Sequence, residues 1–272
     1  MEEIREALER ARVNASPQRQ RRVPLQSSTQ SKLVANGSPQ FDAAQEFELE
    51  RALLRSKRIV GHDHMEPQSA AFDMLRTQVL QSMDAKEWRF LGITSPTPGC
   101  GKTVTAVNLA LSIARLTDRT VLLMDLDLRK PQVASDLGLK PQYGTISILE
   151  SRSTLSEAII QTRIDNSRMM VLPTESRISS SSDWMASSAM SGMLQEIKGL
   201  CQWGIVIVDL PPLLASDDVL SVLPQLDCVL LVTAVGTTKI AEINESINHL
   251  QSTELVRVVL NKAPPSKSAY YY

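Results

Sequence analysis

The chain has 272 residues, 43% of them hydrophobic and 22% charged, which is enough apolar material for one large domain with tails. Its formal net charge of −1 gives no bulk electrostatic drive toward nucleic acid, which is excluded as the main partner. No run of about 18 apolar residues occurs and the opening MEEIREALER lacks the apolar core of a signal peptide, so neither a span nor a secretory leader is expected and a cytoplasmic protein is. The three cysteines, Cys100, Cys201 and Cys228, are odd in number and lack metal-ligand spacing. They read as reduced thiols.

Along the chain, Ile4, Leu8 and Ala11 fall at helical spacing and suggest a short amphipathic helix. Residues 15–40 are rich in Ser, Gln, Pro and Arg and read as a disordered linker. We therefore divide the chain into 1–60, a short helix and linker; 61–264, a nucleotide-binding domain; and 265–272, a flexible tail. Within the domain, the β-rich runs Phe90–Thr94, Val121–Asp125, Met169–Leu172, Ile205–Asp209, Cys228–Thr233 and Val256–Leu260 alternate with helix-period stretches at Thr103–Leu116, Ser187–Leu200 and Lys239–Leu250. Strands apolar on both faces and separated by helices predict a doubly wound, mostly parallel α/β sheet, with its ligand beyond the carboxyl ends of the strands.

Three motifs fall at predicted strand ends. FLGIT runs into SPTPGCGKT and then a helix, the context of a phosphate-binding loop. Such a loop converges backbone N–H groups on phosphate oxygens, here from Gly99, Cys100, Gly101, Lys102, Thr103 and Val104, with Pro98 lining the same site. Lys102 would reach the β/γ-oxygens and Thr103 would ligate Mg²⁺. Pro96 stands where the pattern usually has its first glycine. In VLLMDLDLRKP, Asp125 and Asp127 close a strand and would share one side if the strand continued, so both could face a metal and a transferring phosphate. In IVIVDLPPLLASDD, Asp209 closes a buried strand as a Mg²⁺ partner, while Asp217 and Asp218 read as caps of the next helix.

Of four tyrosines, Tyr143, Tyr270, Tyr271 and Tyr272, three are consecutive at the C-terminus. They are read either as phosphate acceptors or as a docking tag. As an acceptor, a phenol with a pKa near 10 needs a carboxylate to take its proton, and Asp125 and Asp127 are the candidates. An extended chain from Asn261 to Tyr272 spans roughly 35 Å, which admits transfer within one chain or to a neighbour.

With these motifs in order, the chain resembles the bacterial tyrosine kinases, P-loop autokinases that accompany capsule and exopolysaccharide export, over about residues 60–272. The resemblance rests on SPTPGCGKT, VLLMDLDLRKP, IVIVDLPPLLASDD, a late strand ending VVLNK, and the tyrosine cluster. It implies that Lys102 and Thr103 bind ATP phosphates and Mg²⁺, and that Asp125, Asp127 and Asp209 form the metal and base cluster. It also implies that Tyr270, Tyr271 and Tyr272 are autophosphorylated in a ring of subunits. Its implied partners are a separate membrane adaptor of the polysaccharide co-polymerase type, further copies of the chain, and a cognate tyrosine phosphatase.

Two departures qualify the likeness. The family's Glu and two Arg, which make the ring contact, correspond here to Ala70, Asp73 and Arg76, so only the last is retained. Thr97 stands where the partition ATPases of the same fold carry an additional lysine, which favours the kinase branch. An ATP-hydrolysing regulatory switch and a nucleotide-binding scaffold remain the alternatives. Among lesser features, Arg129 could stabilise transition-state charge or be a surface cation. Ser179–Ser182 and Trp184 read as a surface loop and helix start, and the HDH at 62–64 reads as solvated linker.

Overall fold

The structure is a computed structural model that describes residues 46–200 and 204–264. The expected N-terminal helix at Ile4–Ala11, Cys201 and the three terminal tyrosines lie outside the described residues. Eight strands form one sheet: β1 (Glu46–Glu48), β2 (Phe90–Thr94), β3 (Val121–Asp125), β4 (Ile160–Ile164), β5 (Ser167–Leu172), β6 (Ile205–Asp209), β7 (Cys228–Ala234) and β8 (Glu254–Asn261). Their spatial order is β1-β4-β5-β3-β6-β2-β7-β8. Every neighbouring pair is parallel except β4 and β5.

The central strands are buried on both faces because their alternate residues enter two separate apolar cores. Leu91, Ile93, Leu123, Ile205 and Ile207 face one core, with helices α1 (Arg51–Ser56), α2 (Ser69–Ala85) and α3 (Lys102–Ala114). Phe90, Leu122, Met124, Val206 and Val208 face the other. That second layer holds α5 (Thr145–Leu149), α6 (Leu155–Ala158), α7 (Ser181–Met185), α8 (Ser188–Leu200) and α9 (Asp218–Val222), and it includes Leu250 just after α10 (Ile240–His249). The short α4 (Val133–Leu137) follows β3 and packs on the first core. This is the doubly wound, mostly parallel sheet that the alternating pattern predicts.

The folded unit begins before residue 61, which corrects the linker boundary. Leu49, Leu54, Ile59 and Val60 are buried, and β1 pairs with β4. A single side chain on the loop helix fixes the last part of that segment. Asn108 accepts hydrogen bonds from the N–H groups of Val60 (2.7 Å) and Gly61 (2.8 Å), and donates to the carbonyls of Arg58 (3.1 Å) and Val104 (2.7 Å). Segment 58–61 thus completes its backbone bonding on α3, and a Cβ at Gly61 would lie 2.2 Å from the Asn108 carbonyl oxygen. His62 is consequently buried rather than solvated, and neither ring nitrogen has a hydrogen-bond partner. Burial holds its pKa below the usual value, so the ring is neutral.

Candidate functional site: the phosphate loop and its acidic floor

Strand order, more than sequence order, assembles the site. Because β6 lies between β2 and β3, Asp209 is paired in register with Ile93 on one side and with Asp125 on the other. The ends of three strands therefore converge under the loop that follows β2. Gly99 and Gly101 have φ of 81° and 91°, the left-handed backbone that lets successive N–H groups turn toward one point. Gly101 also has no room for a side chain, since a Cβ would approach the Asn261 amide nitrogen to 2.3 Å. The helix α3 starts at Lys102 and presents its N-terminus to that same point. The segment after Asp209 runs alongside the loop, with Leu213 N–H donating to Ser95 and Leu214 N–H to Pro96.

Four side chains meet on the floor. Lys102 Nζ lies 2.8 Å from Asp127 Oδ2 and 3.5 Å from Asp209 Oδ1. Thr103 Oγ1 donates to Asp209 Oδ2 at 2.7 Å. Burial works against the charge on Lys102, but the attraction of Asp209 and Asp127 outweighs it and the ammonium pKa is raised. Asp209 is fully buried, and desolvation pushes its carboxyl up against the pull of Lys102 and Thr103. Its Oδ1 makes no hydrogen bond, so the 3.5 Å approach of Lys102 is ionic only.

The pair Asp125 and Asp127 does not act as one unit. The strand stops at Asp125, whose Oδ1 accepts from Asp127 N–H (3.1 Å) and whose Oδ2 accepts from Gln132 and Val133 N–H (both 3.0 Å). Asp125 thereby closes the turn that carries Asp127 over to Lys102. Burial, with the charge of Asp209 nearby, raises the Asp125 carboxyl to about 8. Among the described residues no group of three or more His, Cys, Asp and Glu side chains forms a metal site by itself. An all-oxygen set of one buried, unpartnered carboxylate oxygen and one hydroxyl does fit Mg²⁺, which takes few protein ligands and completes its shell with phosphate and water.

Several residues serve other purposes than the sequence suggests. Arg129 does not face the loop; its guanidinium pairs with Asp218 (3.2 Å) and donates to Ser181 (2.6 Å). Asp218 makes no cap on α9, because it also accepts from Ser181 (2.6 Å) and Ser182 (2.7 Å). Those bonds outweigh its burial and lower its pKa. Serines in the run 179–182 thus tie the loop after β5 to the one after β6. On α2, Asp73 Oδ1 accepts from Arg76 (3.1 Å), Ser112 (2.6 Å) and Arg115 (2.9 Å), so two of the three positions matched to the ring contact are bonded within the chain. Cys100 and Cys228 are free and buried.

Sequence reading assigned no role to Asn261 or Lys262, although it quoted VVLNK. Asn261 Nδ2 donates to the Cys100 carbonyl (2.9 Å) and Lys262 Nζ to the Gly99 carbonyl (2.6 Å). The end of β8 therefore braces the loop from the side opposite Asp209. A paired Asn-Lys closing the last strand was the available signal.

A glycine-kinked loop between β2 and α3, floored by strand-end carboxylates, defines a P-loop protein of the doubly wound class. The AAA domain family model matches residues 89–258. Tyrosine-protein kinase YwqD of Bacillus subtilis is 29% identical over 209 residues, covering 75% of this chain and 84% of YwqD. EpsB of Ralstonia solanacearum is 28% identical over 76% of this chain, which spans only 27% of EpsB. Among solved structures, the chimerical protein CapA2B2 superposes with a TM-score of 0.69 at 26% identity, over 81% of this chain and 93% of that one. The chain belongs to the AAA domain family and is similar to bacterial tyrosine-protein kinases.

Proposed function

We propose that this protein is a Mg·ATP-dependent protein-tyrosine autokinase that regulates capsule or exopolysaccharide assembly. The observation that carries the proposal is the cluster of Lys102, Asp127, Asp209 and Thr103 beneath a glycine-kinked loop, in a chain that ends in three tyrosines. In this reading the N–H groups from Gly99 to Val104 bind the ATP phosphates, with Pro98 lining the loop, and Lys102 exchanges Asp127 for a γ-phosphate oxygen. Thr103 and Asp209 would hold Mg²⁺, with Asp125 behind them; the ion supplies charge neutralisation at the β- and γ-phosphates.

Once Lys102 turns to phosphate, Asp127 is free to act as base. A tyrosine oxygen from 270–272 forms a bond to the γ-phosphorus, the bond from that phosphorus to the β–γ bridging oxygen breaks, and the phenolic proton passes to the Asp127 carboxylate. ADP leaves with the electron pair. Among the described residues no helix is long and apolar enough to cross a membrane, in keeping with a cytoplasmic enzyme drawn to the membrane by a separate adaptor. Reversal by a cognate tyrosine phosphatase would complete the cycle.

A second reading, an ATP-hydrolysing switch, is favoured by one observation: Asp73 and Arg76 are bonded to Ser112 and Arg115 rather than free for a neighbour. Incubation with labelled ATP and Mg²⁺, followed by mapping of the modified residues, separates the two. Label on Tyr270–Tyr272 that is lost in Lys102→Met supports the kinase. ATP turnover with an unlabelled tail supports the switch.

A further inference from the structure

The two edges of the sheet are built differently. β1 is three residues long and carries Glu46 and Glu48, which pair with Arg163 and Arg168; a short, charged edge resists further pairing. β8 is eight residues long and, among the described residues, has no strand on its outer side. Val258 and Leu260 are opposite Leu231 and Thr233 and so share the face of the sheet that Leu231 turns to the second core. They remain 44% and 63% exposed.

Helix α10 lies in the same layer and covers that face incompletely. Its apolar stripe runs through Ile240, Ile243 and Ile247 to Leu250, and only Ile243 and Leu250 reach the core. Ile240 is 77% exposed and Ile247 39%. A depression of about 390 Å³ lined by Ile247, Leu250, Thr253 and Glu254 opens at the far end of β8. A long edge with exposed apolar side chains invites a further strand, and proteins ordinarily cover it.

The chain supplies a cover of matching size. The described residues stop at position 264, three beyond the end of β8, and residues 265–272 follow, PSKSAYYY. Eight residues returning from that point span about 27 Å, the length of β8. Tyrosine favours strands, and its ring combines apolar area with a polar tip. We propose that residues 265–272 dock back along the open edge of β8, antiparallel to it, so that residues 265–269 pass Leu260 and Val258 and the tyrosine rings reach Ile247, Leu250 and the depression at the far end of β8.

Docking itself needs no nucleotide. Its consequence rests on the kinase reading: a docked tail holds its phenols away from the phosphate loop and must leave the edge to be phosphorylated. A phosphotyrosine, with a charge of about −2, does not return to an apolar surface, so the first transfer would keep the tail free for the next.

The test uses the full chain without ATP. Trypsin cleavage after Lys267 releases residues 268–272, and the initial rate of release is followed by mass spectrometry. Each rate is divided by that of the free 262–272 peptide of the same sequence. The wild type is expected to cleave at least tenfold more slowly than Leu260→Asp, than the Ile247→Asp, Val258→Asp pair, and than a chain with all three terminal tyrosines changed to Ser. Combining Leu260→Asp with the tyrosine changes should add nothing further. Because Ile247, Val258 and Leu260 are exposed, an unchanged melting temperature is expected and separates lost docking from lost fold. Equal rates in all variants overturn the proposal. So does protection that vanishes on dilution, which would mean that a second copy of the chain covers the edge. Neither result bears on whether the tail is a phosphate acceptor.

Discussion

Asp209 and Asp73 each sit beside a cation and a hydroxyl, yet their surroundings mark one as a site and the other as a brace. Around Asp209, two carboxylates face one ammonium, and the buried Oδ1 has no hydrogen bond. Around Asp73, one carboxylate faces two guanidiniums, and its oxygens accept from Arg76, Ser112 and Arg115 at 2.6–3.2 Å. Surplus negative charge with an open oxygen, at the ends of parallel strands and under a helix N-terminus, leaves room for a cation. A saturated carboxylate holds two helices together and has nothing left to offer a ligand.

The largest test of this contrast is Lys102→Met, which should reduce tail phosphorylation by about 100-fold or more, the usual cost of losing one preorganised charged donor. Labelled-phosphate incorporation measures it, and a loss of less than about tenfold would place the phosphate elsewhere. Asp209→Asn should weaken nucleotide binding in Mg²⁺ far more than in EDTA, by titration calorimetry. The free protein should at the same time become more resistant to heat, because a costly buried charge is gone. Equal losses with and without Mg²⁺ would remove Asp209 from the metal.

Asp73→Ala should do the opposite. It leaves two half-buried guanidiniums without their carboxylate and should cost about 2 kcal/mol, a few degrees in melting temperature for a domain of this size. Phosphorylation per folded molecule should be little changed; a loss comparable with Lys102→Met would make α2 part of the site. The remaining effect concerns pH. Asp125 has a carboxyl raised from 3.8 to about 8, so the folded state binds its proton more tightly than the unfolded chain does. That contribution to stability is fully present below about pH 4 and is lost as pH rises toward 8. Asp125→Asn should therefore flatten the fall in melting temperature between those values in the nucleotide-free protein, and an unchanged slope would assign the fall to other groups.

Much of the site was legible because its parts are local. The loop SPTPGCGKT lies between a strand and a helix, and the strands ending in Asp125 and Asp209 are continuous apolar runs; the structure places all three at one end of one sheet. Elements with mixed burial were less visible. β4 alternates intermediate and buried positions and pairs antiparallel with β5, while β1 is a three-residue edge. Neither carries the apolar run that signals a core strand. The linker boundary at 60 was misplaced for a related reason: segment 58–61 is fixed by Asn108, 47 to 50 residues away, and no local pattern records such a bond.

The sequence by itself determined the fold class, the phosphate loop and the identity of the strand-end carboxylates, since these follow from short-range periodicity and from the steric demands of glycine. Only the tertiary structure decided what each carboxylate does. Strand order put Asp209 between the loop and Asp125, and the turn closed by Asp125 delivered Asp127 to Lys102. Helix packing gave Asp73 two arginines. Charges interact through space, and which carboxylate keeps an open oxygen, which pairs with Lys102 and which is saturated by arginines is set by which strands and helices lie side by side.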